Sequence, residues 1–140
     1  MECTVNWLGI DGMSFSAEVG SGHLINMDGA PEAGGRNLAP RPMELLLAGA
    51  GGCTAFDIVM ILKKSRQNIS GCKVKLEATR ADSDPKVFTH INMKYIVTGK
   101  DLDPGRVAKA VELSHDKYCS ATIMLRKTAE ISHTIEIIEA

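Results

Sequence analysis

Aromatic residues are scarce in this chain: one Trp, two Tyr and three Phe, or 4% of 140 residues. They do not interleave with the basic residues, so the stacking-plus-phosphate pattern of a nucleic-acid binder is missing. Residues 1–35 contain no Lys or Arg at all, against five acids, Glu2, Asp11, Glu18, Asp28 and Glu32. Seven basic residues and three acids lie between Lys63 and Lys86, a density that suits a solvated polar face. With a formal net charge of −1, nothing in the balance calls for nucleic acid or an anionic membrane. No basic segment followed by an apolar run opens the chain, so no signal peptide is expected. The longest apolar segment, Leu45–Leu62, is interrupted by Asp57 and falls short of a span of about 20 residues. A cytoplasmic protein without a membrane partner is the expectation. In that compartment Cys3, Cys53, Cys72 and Cys119 rest as thiols. No Cys-x-x-Cys pair occurs, which removes the zinc-ribbon and thioredoxin motifs.

What is present is enough for one domain over residues 1–140, with 44% apolar and 24% charged residues. "TVNWLGI", "MSFSAEV" and "HLINM" read as short strands separated by the turns "DGM" and "GSGH". The Gly- and Pro-rich "DGAPEAGGRNLAPRP" reads as a loop. Pro42 suits the first position of a helix, with Glu44 in its first turn, and that helix is predicted to run to about Gln67 before a turn at "NISG". In "CKVKLEATR", Cys72, Val74, Leu76 and Ala78 alternate with polar residues. In "VFTHINMKYIVTG", Ile91, Met93, Tyr95 and Val97 alternate with His90, Asn92, Lys94 and Ile96, so a half-buried antiparallel pair is predicted around the turn "DSDPK". Asp103 and Pro104 form a strong helix start, with Val107, Ala110, Val111, Ser114 and Tyr118 as the inner stripe. "SATIMLRKT" is predicted to be a short helix capped by Ser120, and "EISHTIEII" a closing strand. The order defines an α+β fold class.

The segment "MELLLAGAGGCTAFDIVMIL" places Gly49, Gly51 and Gly52 directly before Cys53. Each glycine inside a helix costs roughly 1 kcal/mol relative to alanine. Ala48 with Gly52, and Gly49 with Cys53, put small residues on one face, and the residues beyond are apolar nearly all round. Two accounts fit: a helix enclosed on every side that crosses a neighbour closely, with Cys53 as a small core residue, or glycines that leave space before a reactive sulfur. Cys119 lies between two predicted helices, where free N–H groups favour its thiolate. His115, one turn earlier, either adds to that when protonated or is a solvated helix residue. Asp57, one turn after Cys53, raises the thiol pKa where the two face the same way. Cys3 and Cys72 read as structural.

At these residues the sequence resembles the OsmC/Ohr family of osmotically inducible and organic-hydroperoxide-resistance proteins. "RPMELLLAGAGGCTAFDIV" and "LSHDKYCSATIML", separated by two strands, are similar to its paired-cysteine signature. The wording of "PMELLLAGAGGC", "FTHINMKYIVTG" and "KYCSATIMLRKTAEISHTIEI" is nearest to the family's YhfA-like branch. The resemblance implies antiparallel sheets wrapped around long central helices in an intertwined homodimer, with active sites at the interface. It also implies a peroxidatic Cys53 that reduces a small apolar alkyl hydroperoxide. Cys119 would resolve it as an intramolecular disulfide, with a dithiol reductant such as a lipoylated protein restoring the pair. The family's active peroxidases carry a glutamate ten positions before the first cysteine, where this chain has Met43. Glu44 is adjacent, rotated about 100° around the helix. They also use an arginine from the N-terminal strands. Here Arg36 and Arg41 are the stand-ins, from either subunit.

Three functions therefore compete: a cysteine-based peroxidase needing no cofactor, a dimeric small-molecule-binding member of the same fold, and a metal site built from Cys53, Cys119 and His115.

Overall fold

The computed structural model describes all residues, 1–140, and divides into two compact units, Met1–Leu47 and Ala48–Ala140. In the first, strands β1 (Cys3–Trp7), β2 (Phe15–Val19) and β3 (Leu24–Met27) form an antiparallel meander in the order β1-β2-β3. The following loop is organised by Asp28, which is buried although charged. Its carboxylate accepts the backbone N–H groups of Gly29 (2.8 Å), Leu38 (3.0 Å) and Arg36 (3.2 Å). These bonds, that of Leu38 foremost, hold its pKa below the ordinary carboxylate value. The loop closes so tightly that a Cβ on Gly35 would lie 2.0 Å from the Gly29 carbonyl oxygen. Only glycine fits there.

Helix α1 (Pro42–Lys64) starts at the predicted proline and ends three residues early. Arg66 takes a left-handed conformation (φ 58°) while the Gln67 N–H reaches back to the Leu62 carbonyl at 2.9 Å. "NISG" is therefore the beginning of β4 (Asn68–Arg80), not a turn. At 23 residues α1 is long and apolar enough to cross a membrane by length and composition, which the sequence reading did not allow. A core helix of a soluble protein meets the same criterion, and Ile58 and Leu62 are fully buried in this unit.

In the second unit β4 pairs antiparallel with β5 (Phe88–Lys100) along nearly its whole length, Cys72 opposite Val97 and Leu76 opposite Met93. The alternating residues Ile91, Met93, Tyr95 and Val97 are all fully buried. The sheet order is β4-β5-β6, and β6 (Glu130–Glu139) joins parallel to β5, so this sheet is mixed. Between them run α2 (Pro104–Leu113), one wider π turn (Ser114–Tyr118) and α3 (Ser120–Leu125). Asp103 caps α2 by accepting the N–H groups of Gly105 at 2.8 Å and Arg106 at 3.2 Å.

Two expectations about this connection need correcting. Val107, Ala110, Val111 and Ser114 face inward, but Tyr118 is half exposed. The i→i+5 turn, closed by Cys119 N–H to the Ser114 carbonyl at 2.8 Å, changes the rotation per residue and turns Tyr118 outward. The same change buries His115, which is not a solvated helix residue.

The glycines of α1 also separate. A Cβ on Gly51 would stand 2.8 Å from Leu76 Cδ1, so this glycine lets the helix lie close on the sheet. Gly49 and Gly52 face open space, next to exposed Phe56 and Met60. Within one chain α1 is not enclosed on every side.

Candidate active site

Cys53 and Asp57 are four residues apart on α1 and so share a face. The π turn delivers Cys119 to that face. The two Sγ atoms and an Asp57 carboxylate oxygen all lie within 4.8 Å of one another. All four cysteines are free thiols. Cys53 is half-buried and Cys119 has no exposed surface.

Cys119, rather than Ser120, is the N-cap of α3. Its Sγ accepts the Thr122 N–H at 3.4 Å and lies 2.9 Å from Thr122 Oγ1. These contacts favour the thiolate, as the helix start led us to expect. Burial acts the other way and wins, and Cys53 nearby adds to it, so the Cys119 pKa stands above its ordinary value. The helix N-terminus alone does not make this an acidic thiol.

Asp57 is held from behind by a buried line of hydroxyls. Ser114 Oγ donates to Asp57 Oδ2 at 3.0 Å. Thr54 Oγ1 lies 2.8 Å from Ser114 Oγ and 3.0 Å from the Tyr95 hydroxyl. The Tyr95 hydroxyl in turn lies 2.8 Å from His115 Nε2. His115 stacks on His133 with ring centroids 4.6 Å apart, and the Arg126 guanidinium donates to the His115 carbonyl. Burial, then the neighbouring His133 and Arg126, lower the His115 pKa from 6.5 to about 4, so it is neutral at physiological pH. Burial likewise raises the Tyr95 pKa to about 12. No buried side-chain nitrogen or oxygen is left without a partner.

The remaining candidates sit elsewhere in the chain. Arg41 Nη1 pairs with Glu44 Oε1 at 3.2 Å, and the Arg41 N–H donates to Glu44 Oε2 at 2.9 Å, at the start of α1. These contacts, first the backbone one, lower the Glu44 pKa. Arg36 donates through its guanidinium to the Asp11 carbonyl and through its N–H to Asp28. Met43 precedes Glu44 as the sequence gives it. The Cys53–Cys119–His115 metal set, one of the three competing readings, does not form, because His115 Nε2 is engaged by Tyr95 and the group that joins the two sulfurs is Asp57. Sequence reasoning missed Thr54, Tyr95 and Ser114 as parts of the site. The usable signal was a hydroxyl on each otherwise apolar inward stripe, since a buried hydroxyl needs a partner.

Two free thiols brought together on a unit of one mixed sheet and its helices mark an α+β fold with a paired-thiol cluster. The OsmC-like protein family model matches residues 34–134, and the chain belongs to that family. It is 47% identical to Protein YhfA of Escherichia coli strain K12 over 140 residues, covering 100% of both chains. Among solved structures it is similar to an OsmC-like protein from Mycoplasma pneumoniae, with TM-score 0.81, 14% identity, and 98% and 96% of the two chains covered. It is also similar to an organic hydroperoxide resistance protein OsmC from Legionella pneumophila, with TM-score 0.68, 16% identity, and 97% of each chain covered. At such identities the two structures speak for the fold alone.

Proposed function

We propose that this protein is a cytoplasmic, thiol-dependent peroxidase that reduces small apolar alkyl hydroperoxides. The observation that carries this reading is the approach of the Cys53 and Cys119 sulfurs to within 4.8 Å of each other. The Cys53 thiolate attacks the terminal oxygen of the hydroperoxide, the O–O bond breaks, and the leaving alkoxide takes a proton and departs as the alcohol. Cys53 is left as sulfenic acid. The Cys119 sulfur then attacks the Cys53 sulfur, forming the disulfide and releasing water. A dithiol, such as a lipoylated protein, reduces the disulfide and is itself oxidised. Burial keeps Cys119 protonated at rest, which suits a thiol that acts second.

The working form is proposed to be a homodimer, which supplies a cover for the exposed Gly49, Gly52, Phe56 and Met60 of α1. Arg41, Glu44 and Arg36, from either copy, are the proposed aids to Cys53 ionisation. Turnover of cumene hydroperoxide with a dithiol tests the reading on native protein, Cys53→Ser and Cys119→Ser. Native turnover with a dead Cys53→Ser protein supports it; no consumption above background by the native protein sinks it.

A second reading has its own support. An open, largely apolar cleft of about 590 Å³ is lined by Gly52, Phe56, Val59, Met60, Ile69 and Cys72. Together with Met43 at the family's glutamate position, it fits a binding protein without efficient turnover. Saturable binding of an apolar ligand without hydroperoxide loss is its signature.

A further inference from the structure

We propose that the reduced protein holds one zinc-type divalent cation between Cys53 Sγ, Cys119 Sγ and the Asp57 carboxylate, and that metal and disulfide exclude each other. Three observations carry this. The three ligand atoms are mutually within 4.8 Å. In a tetrahedral zinc site with Zn–S of about 2.3 Å and Zn–O of about 2.0 Å, neighbouring sulfurs stand about 3.8 Å apart and a sulfur and an oxygen about 3.5 Å, so no edge closes by more than about 1.3 Å. Asp57 is also oriented: Ser114 Oγ occupies Oδ2 at 3.0 Å, which leaves Oδ1 for a cation, and Thr54 and Tyr95 hold Ser114 in turn. Such a hydrogen bond behind a ligating carboxylate is a regular part of metal sites. Finally, two of the ligands lie one turn apart in the middle of a 23-residue helix and the third at a helix cap, half-buried or buried, so the geometry is prepared before the metal arrives.

The ligand set selects the metal. Two thiolates disfavour magnesium and calcium, and a carboxylate beside them suits zinc or cobalt better than copper(I). The fourth position would take water. Binding releases the two thiol protons, so two thiols, one carboxylate and one Zn²⁺ give a site of net charge −1 and two free protons. The pair is then unavailable as thiol nucleophiles. Conversely, joining the two sulfurs removes both anionic ligands and leaves Asp57 alone. Metal occupancy thereby shields the pair until an oxidant or a competing chelator removes the ion. The site stands whether or not the protein turns over hydroperoxide.

The test uses the full-length protein, reduced and then freed of reductant, titrated with Zn²⁺ alone against a chromophoric chelator. One equivalent per chain, a rise in free protons on binding, and tetrahedral thiolate bands on Co²⁺ substitution are expected. Cys53→Ser, Cys119→Ser and Asp57→Asn lose the tight equivalent, Ser114→Ala weakens it about 10- to 100-fold, and Cys3→Ser keeps it. Native protein oxidised with diamide does not bind. Should a substituted chain fail to fold by circular dichroism, slowed alkylation of Cys53 and Cys119 in zinc-loaded native protein, read by mass spectrometry, serves instead. Native protein that cannot hold zinc against the chelator, or Asp57→Asn protein that binds as tightly as native, overturns the proposal. Zinc binding without hydroperoxide consumption would retain this site and discard the peroxidase, and the reverse pair of results would do the opposite.

Discussion

The Tyr95 hydroxyl and His115 Nε2 meet at 2.8 Å, and this contact fixes where the proton on the imidazole sits. A carboxylate only accepts, so the single Ser114 proton goes to Asp57. The contact between Thr54 and Ser114 then uses the Thr54 proton, and that between Tyr95 and Thr54 uses the Tyr95 proton. The Met93 sulfur, 3.3 Å from the Tyr95 oxygen, takes at most a share of it. Nothing is left to make the last link but an N–H at Nε2. His115 is therefore expected as the neutral Nε2–H tautomer, every proton in the line pointing toward Asp57. Imidazole nitrogen shifts in an NMR spectrum near pH 7 report this directly; a dominant Nδ1–H form would break the proposed order of donors.

The same burial sets a pH dependence. Folding lowers the His115 pKa from 6.5 to about 4, so between those values the unfolded chain binds more protons than the folded one. Stability contributed by neutral His115 is complete above pH 6.5, declines as pH falls toward 4, and changes no further below it. From pH 7 to pH 5 the expected loss is about 2 kcal/mol. Urea unfolding of native and His115→Gln protein at the two pH values isolates it from the carboxylates. The variant should be less stable at pH 7 and lose about 2 kcal/mol less than native on acidification; equal losses in both proteins would remove His115 as the cause.

Much of the fold was legible because the period of the pattern changes where the elements change. Cys72–Ala78 and Ile91–Val97 alternate in the sequence and pair in the sheet, and Asp103-Pro104 begins a helix for reasons local to those residues. What escaped is non-local. No feature of "LSHDKYC" announces an i→i+5 turn, yet that turn decides that His115 is buried and Tyr118 is not. Likewise β6 alternates in the way an antiparallel strand would, and its parallel pairing to β5 follows from the path of the intervening helices. At the site, Cys53, Asp57 and Cys119 carried signals in the sequence, whereas the meeting of Thr54, Tyr95 and Ser114 depends on three elements docking together.

The exposed face of α1 makes a prediction about assembly. Phe56 is 66% exposed and lies beside Gly49 and Gly52, where a Cβ would touch nothing within the chain. An aromatic ring next to empty glycine positions is a poor surface for a monomer and a good one for a second copy of the helix. Burying such a side chain contributes roughly 1.5–3 kcal/mol, and in a two-fold assembly it does so twice. Native protein is expected to sediment as a dimer. Phe56→Glu, which places a carboxylate in that face, should shift it toward monomer at micromolar concentration while leaving its circular dichroism spectrum in place. A native monomer would remove this support for the proposed dimer.

The division of labour proposed for the two cysteines can be tested without steady-state turnover. Cys53 is half-buried and reachable, whereas Cys119 is fully buried with its sulfur engaged by Thr122 and its pKa raised by that burial. The first thiol to meet a hydroperoxide should be Cys53, with Cys119 confined to the second step. Under one equivalent of cumene hydroperoxide, Cys119→Ser protein is expected to consume it once and to accumulate a sulfenic acid at position 53, trapped by dimedone and located by mass spectrometry. Native protein should instead gain an internal disulfide and show little trapping. In Cys53→Ser protein neither product forms. Trapping at Cys119 in that variant, at a rate comparable to native consumption, would reverse the assigned order of the two thiols.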